Sequence, residues 1–177
     1  FVSGKQPDLY LGVGAIADRI EQLRQLVLLN TTMRRDFAPP PYWKPFTAAR
    51  TGELLLVRMK LWKRGLPLLM RAARTRAVRE QYAGFLDAQD TRRTVLALER
   101  LESFDTVMER VERAVRDIRV PVLILWGHPD PYFRRSELRQ LRAIFPQATV
   151  REFRGGGHFA QEDAAEAVSR ELLAFLQ

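Results

Sequence analysis

Histidine occurs only twice in the chain, as His128 and His158, so any histidine-based mechanism has two candidates. His158 follows Gly155, Gly156 and Gly157, and a stretch without side-chain bulk lets the backbone turn sharply and project an imidazole from a strand end. Asp130 stands in Gly127-His128-Pro129-Asp130-Pro131, a loop stiffened by two prolines, where a carboxylate could orient His158 and stabilise its imidazolium form. Taken singly, His158 reads as a turn histidine and Asp130 as a solvated turn aspartate, which is common beside proline. Only as a pair on neighbouring loops do they amount to acid–base chemistry. The absence of cysteine removes disulfides, thiolate metal sites and a cysteine nucleophile, and fits a reducing cytoplasm. There is no glycine-rich phosphate loop, dinucleotide fingerprint or metal-ligand cluster in the sequence, so no metal site is expected.

The elements that must position these residues follow from hydrophobic periodicity. Leu11 to Arg24 reads as a helix, with Val13, Ile16, Ile20 and Leu23 at three- or four-residue steps. Leu26 to Leu29 is a continuous apolar run of strand length, and continuity rather than alternation implies burial on both faces, as in a parallel sheet. Ala38-Pro39-Pro40-Pro41-Tyr42 is expected to be a connector, neither helix nor central strand. From Thr47 to Arg119 the pattern is helical, with expected breaks at Gly65-Leu66-Pro67 and near Asp87 to Asp90. Leu54, Val57 and Leu61, then Leu68, Leu69 and Ala72, form its apolar faces, and Asp90 is an expected N-cap. Asp105 to Ile118 is the last helix of this block. Val120 to Trp126 is a second buried strand, Ser136 to Phe145 a helix capped by Ser136, Ala148 to Phe153 a third strand, and Ala164 to Leu176 a closing amphipathic helix. Alternating strands and helices imply an α/β fold, a parallel sheet flanked by helices with an all-helical insertion. Chemistry in such a sheet gathers beyond the carboxyl ends of the strands, here Asn30, Gly127 and Arg154.

Length and charge bound the remaining possibilities. With 177 residues and 46% hydrophobic composition the chain can bury a core of its own. Its longest uncharged apolar runs fall far short of a membrane span, so no membrane is expected. The net charge of +8 raises the question of nucleic acid, but Arg71, Arg74, Arg76, Arg79, Arg92 and Arg93 scatter around their helices with apolar residues between them. That spacing reads as a solvated face, and no nucleic-acid partner is expected.

The segment VPVLILWGHPDPYF, followed by FRGGGHFAQEDAAEAVSRELLAFL, resembles the carboxyl-terminal part of α/β-hydrolase-fold enzymes, especially those similar to haloalkane dehalogenases and epoxide hydrolases. The resemblance implies that Asp130 is the acid and His158 the base of a nucleophile–acid–histidine triad. It implies further that LVLLNT at Leu26 to Thr31 is a core strand, that the helical block is a substrate-covering cap, and that no cofactor is required. The organisation expected is then a partial core over residues 1–37, a cap over 38–119 and a carboxyl-terminal core over 120–177. Phe133 and Phe159, near the acid and base in sequence, are the candidate pocket residues for a small apolar substrate such as a haloalkane, epoxide or ester. Tyr42, Trp43, Phe46, Trp62, Tyr82 and Phe85 read more readily as core than as pocket lining. The family's nucleophile elbow should fall near residues 2 to 6, where Val2-Ser3-Gly4-Lys5-Gln6 lacks the flanking small residues of that turn. Ser3 is therefore not expected to be a nucleophile, and Asp8 reads as a helix-capping residue. The alternatives are an enzyme lacking its amino-terminal half and a non-catalytic interaction protein that self-associates through an exposed edge at Leu26 to Leu29.

Overall fold

The computed structural model describes residues 23–71, 75–98 and 104–177. Ser3, Asp8 and all but the end of the expected helix over 11–24 lie outside the described residues, and Leu23 and Arg24 are irregular backbone. Three strands form one parallel sheet in the order β1 (Leu26–Leu29), β2 (Val122–His128) and β3 (Thr149–Arg154). Leu26 pairs with Val122 and Leu29 with Leu125, while Leu123 pairs with Thr149 and His128 with Arg154. This register sets the carboxyl ends of β2 and β3 side by side, with β1 ending at Leu29 opposite Leu125.

Burial explains why the apolar runs are continuous. Val122 to Trp126 are buried, as expected of a strand covered on both faces. Val27, Leu29, Leu123 and Leu125 form one core layer with Ala160 and Val168, against which Phe153, Leu172 and Phe175 pack. Side chains alternate along a strand, so Leu26, Leu28, Ile124 and Trp126 occupy the opposite face. Each fully buried aliphatic side chain contributes about 1.5–3 kcal/mol relative to exposure. All four β1 residues are likewise buried, from 0% to 7% exposed, as the continuous apolar run leads one to expect. Among the described residues β1 pairs with β2 alone.

The chain divides into two compact units, Phe1–Phe37 with Ser103–Gln177 and Ala38–Glu102. The helix Phe104–Val115 thus groups with the sheet. Met108, Val111 and Val115 of that helix are buried, which explains the grouping: its apolar stripe is part of a core.

Several local expectations are corrected. Pro41 opens a single 3₁₀ turn, Pro41–Trp43, in the supposed connector, because a proline at the first helical position gives up an N–H that has no partner there anyway. The helix Trp62–Leu69 runs through the expected break at Gly65-Leu66-Pro67; Arg64 and Gly65 both donate to Leu61 O, so the first turn is closed before the proline removes one bond. Leu54 and Leu68 are exposed while Leu56 and Val57 are buried. The stretch Glu53–Arg58 is a π-helix, whose wider turn shifts the apolar stripe off a 3.6-residue period. Asp90 lies inside the first turn of the helix Gln89–Leu98 rather than capping it. Ser136 likewise lies within Arg135–Ile144, whose N-cap is Arg134 without a side-chain cap bond. The closing helix runs over Ala165–Leu176 as expected, and a separate turn, Ala160–Asp163, precedes it. No helix among the described residues is long and apolar enough to cross a membrane.

Within the helical unit, Asp87 at the end of Arg76–Asp87 accepts from Lys63 at 2.9 Å and Lys60 at 3.2 Å. The Lys63 hydrogen bond, then that of Lys60, holds the Asp87 carboxyl below its ordinary range. A depressed folded-state value means that this contribution is present above the ordinary carboxylate range and is lost as the pH falls through the folded value. Replacing both lysines by alanine should move the Asp87 titration back up toward the ordinary carboxylate value, read by carboxyl-carbon NMR; an unmoved titration would disprove the linkage.

Candidate active site at the strand ends

The loop after β2 is organised around one carboxylate. The Asp130 side chain is 0% exposed, and a buried charge is tolerated only when donors surround it. Oδ1 accepts the backbone N–H of Tyr132 at 2.7 Å and of Phe133 at 2.9 Å, an aspartate turn closed on its own loop. Oδ2 accepts from Asn30 Nδ2 at 2.7 Å. His158 Nδ1 faces both oxygens, at 3.1 and 3.0 Å. An ionised carboxylate only accepts, so Nδ1 carries the proton and donates, leaving Nε2 as the ring's basic atom.

His158 reaches this carboxylate because the glycine loop lies close against β2. Gly155 N donates to His128 O at 2.6 Å and Gly156 N to Phe153 O at 3.1 Å, with Gly155 and Gly157 at φ of 83° and 57°. These positive φ values are where glycine is strain-free. Gly127 completes the fit: a Cβ there would collide with Gly157 O and come within 2.7 Å of the Gly156 carbonyl carbon. The imidazole is then enclosed by rings, with Tyr132 and Phe133 each 5.4 Å away and Phe159 edge-on at 5.1 Å. Phe37 stacks behind, 5.9 Å from Tyr132 and 5.2 Å from Phe133. Of the two pocket candidates, Phe133 is 2% exposed and lies deep in this wall, whereas Phe159 is half-buried.

The end of β1 contributes more than its sequence announced. Asn30, Thr31 and Thr32 are all buried. Asn30 spans the gap to β2, accepting from Gly127 N at 2.6 Å and donating to Gly127 O at 2.9 Å in addition to Asp130. Thr32 Oγ1 donates to the buried Glu137 carboxylate at 2.7 Å, and Arg34 reaches the same group at 3.4 Å. Arg34 also pairs with Asp36, whose carboxyl it holds below the ordinary range by that hydrogen bond. These contacts fasten residues 30–36 to the helix Arg135–Ile144. Asn30 and Tyr132 are the site residues that sequence reasoning missed; the signal for Asn30 was its position at a strand's carboxyl end. No group of three His, Cys, Asp or Glu suited to a metal occurs among the described residues.

Residues 21–165 match the family model described as alpha/beta hydrolase fold. The chain belongs to the α/β-hydrolase family. Over 68 residues this α/β-hydrolase is 37% identical to LipZ of Mycobacterium tuberculosis, the match covering 38% of the chain and 24% of LipZ. It is 36% identical over 61 residues to 2-hydroxy-6-oxononadienedioate/2-hydroxy-6-oxononatrienedioate hydrolase 2 of Pseudomonas putida, covering 34% and 21% of the respective chains. The fold is similar to that of haloalkane dehalogenase DbeA from Bradyrhizobium elkani, with a TM-score of 0.78 at 16% identity, over 93% of this chain and 62% of the other. The chain therefore spans less than two thirds of the length of these relatives.

The close approach at Gly127 gives a direct check. Gly127→Ala should lower stability by about 1–3 kcal/mol, the usual cost of overpacking where backbone must shift, read as a reduced urea midpoint. A variant as stable as the parent would show that the glycine loop and β2 are less tightly apposed.

Proposed function

We propose that the chain carries the acid and base of a nucleophile–acid–histidine hydrolase acting on small apolar substrates such as haloalkanes, epoxides or esters. The observation that carries this reading is the buried Asp130 carboxylate, wrapped by donors and facing His158 Nδ1. In this chemistry a nucleophile attacks the electrophilic carbon of the substrate, forming a covalent intermediate as the leaving group departs. His158 Nε2 then takes a proton from water, the resulting hydroxide cleaves the intermediate, and the nucleophile is regenerated while Asp130 stabilises the imidazolium. In this reading Phe159 meets the apolar substrate, and Phe133, buried against the imidazole, supports the ring. Membership of the hydrolase family, similarity to a dehalogenase fold and sequence similarity to a hydrolase of small organic acids support this reading.

The test separates this pair from the nucleophile. The 177-residue chain should hydrolyse haloalkanes, epoxides and short esters near background, with Ser3→Ala without effect. Joined behind the amino-terminal segment of a haloalkane dehalogenase, it should turn over substrate, and His158→Ala should remove about 10²–10⁴-fold of that rate, the usual range for general acid–base catalysis. A folded chimera whose turnover survives His158→Ala would refute the proposal.

A second reading, self-association as an interaction protein, is favoured by the pairing of β1 along one edge among the described residues. Leu26 N and Asn30 N donate to Pro121 O and Leu125 O, so alternation turns the Val27 and Leu29 amides toward the other edge. Self-association through this edge should make those two amides exchange more slowly as concentration rises, in step with sedimentation; a monomer at all concentrations would exclude it.

A further inference from the structure

Asn30 meets two constraints that the hydrolytic reading does not use. Its φ is 29°, a left-handed conformation in which asparagine is enriched over other side chains. Its amide is also oriented without ambiguity: Oδ1 takes the Gly127 N–H at 2.6 Å, so Nδ2 must point to Gly127 O and to Asp130 Oδ2. Flipping the amide would set a donor against the Gly127 N–H and an acceptor against the Asp130 carboxylate.

We propose that Asn30 is a positioning residue for the Asp130–His158 pair, fixing Oδ2 of the carboxylate so that the imidazole proton is held on Nδ1. This rests on the proposed function. The two backbone donors of Tyr132 and Phe133 both bind Oδ1, so they pin one oxygen and leave the carboxylate plane free to turn about it. Among the described residues, Asn30 is the donor besides His158 itself that reaches Oδ2. With both oxygens anchored, the plane is fixed and His158 Nδ1 meets both oxygens almost equally. Chemistry restricts the residue type closely. Aspartate would bring an acceptor where a donor is required, serine is too short to bridge Gly127 and Asp130, and glutamine would carry the amide too far. A merely structural tie between β1 and β2 would need only the two Gly127 bonds. The third bond, to Asp130, is the one that bears on proton placement.

The experiment is ¹⁵N NMR of the His158 imidazole in the full 177-residue chain, in alkaline buffer where the ring is neutral. The parent should show the Nδ1–H tautomer with a slowly exchanging Nδ1 proton. Asn30→Gly, which keeps the backbone conformation, and Asn30→Ser should raise the Nε2–H share and speed Nδ1 proton exchange about tenfold or more, the scale of losing one charge-assisted hydrogen bond. Slow exchange of the Leu123 and Leu125 amides identifies folded variants. Folded variants with the parent's tautomer and exchange rate would overturn the proposal. A parent already in the Nε2–H form would overturn the Asp130–His158 reading itself. If Asp130→Asn shifts the tautomer while the Asn30 variants do not, the pair stands and the role of Asn30 falls. A second measurement needs no change at Asn30: its own Nδ2 protons should exchange slowly in the parent, and rapid exchange would overturn the proposal even if both variants fail to fold.

Discussion

A carboxylate removed from water loses strong hydration, and the loss is tolerable only where hydrogen-bond donors replace the solvent on both oxygens. Asp130 is in that position, and much of the surrounding architecture can be understood as supplying its donors. Two come from the next residues of its own loop, one from the end of β1 and one from the loop beyond β3. The parallel pairing brings the loops after all three strands to the same end of the sheet, so donors far apart in the chain converge without long side chains. The glycines then remove the bulk that would keep the β3 loop from β2. The same arrangement that neutralises the cost of burial also leaves one nitrogen of His158 basic and pointing away from the carboxylate.

The apolar wall works in concert with this polar centre. Tyr132, Phe133 and Phe159 surround the imidazole, lowering the local dielectric and strengthening the charge–dipole interactions within. Tyr132 and Phe133 serve twice, since their backbone N–H groups hold Asp130 while their rings flank His158. A single turn of chain thus couples carboxylate orientation to imidazole orientation. At the far side, the buried Glu137 secures the segment after β1 through Thr32 and Arg34, so the strand end that presents Asn30 is held from both directions.

The α/β class and the three strands were legible because continuous apolar runs are a strong local signature, whereas the pairing of Asp130 with His158 followed from the family resemblance, since each alone reads as a turn residue. Helix ends in the insertion were less legible. Leu54 carries the right residue type on a 3.6-residue period, yet the π-helix at Glu53–Arg58 changes the period itself, and nothing local to that residue announces it. Pro67 is a breaker by type, but its effect depends on bonds already closed by Arg64 and Gly65. Asn30 was visible only as the end of a strand; its partners are Gly127 and Asp130, and contacts that distant cannot be inferred from neighbouring residues.

The insertion point of the helical unit has an evolutionary consequence. Ala38–Glu102 enters the chain between β1 and β2, strands that are already neighbours and are bridged by the Asn30 amide as well as by their backbone bonds. The entropy of closing a loop grows only logarithmically with its length, about 0.6 kcal/mol for each doubling. The sheet is therefore nearly indifferent to how long the intervening segment is. Insertions, deletions or wholesale replacement there leave the strand ends that hold Asp130 and His158 in register, so the length and sequence of the intervening segment can change without disturbing the Asp130–His158 contact.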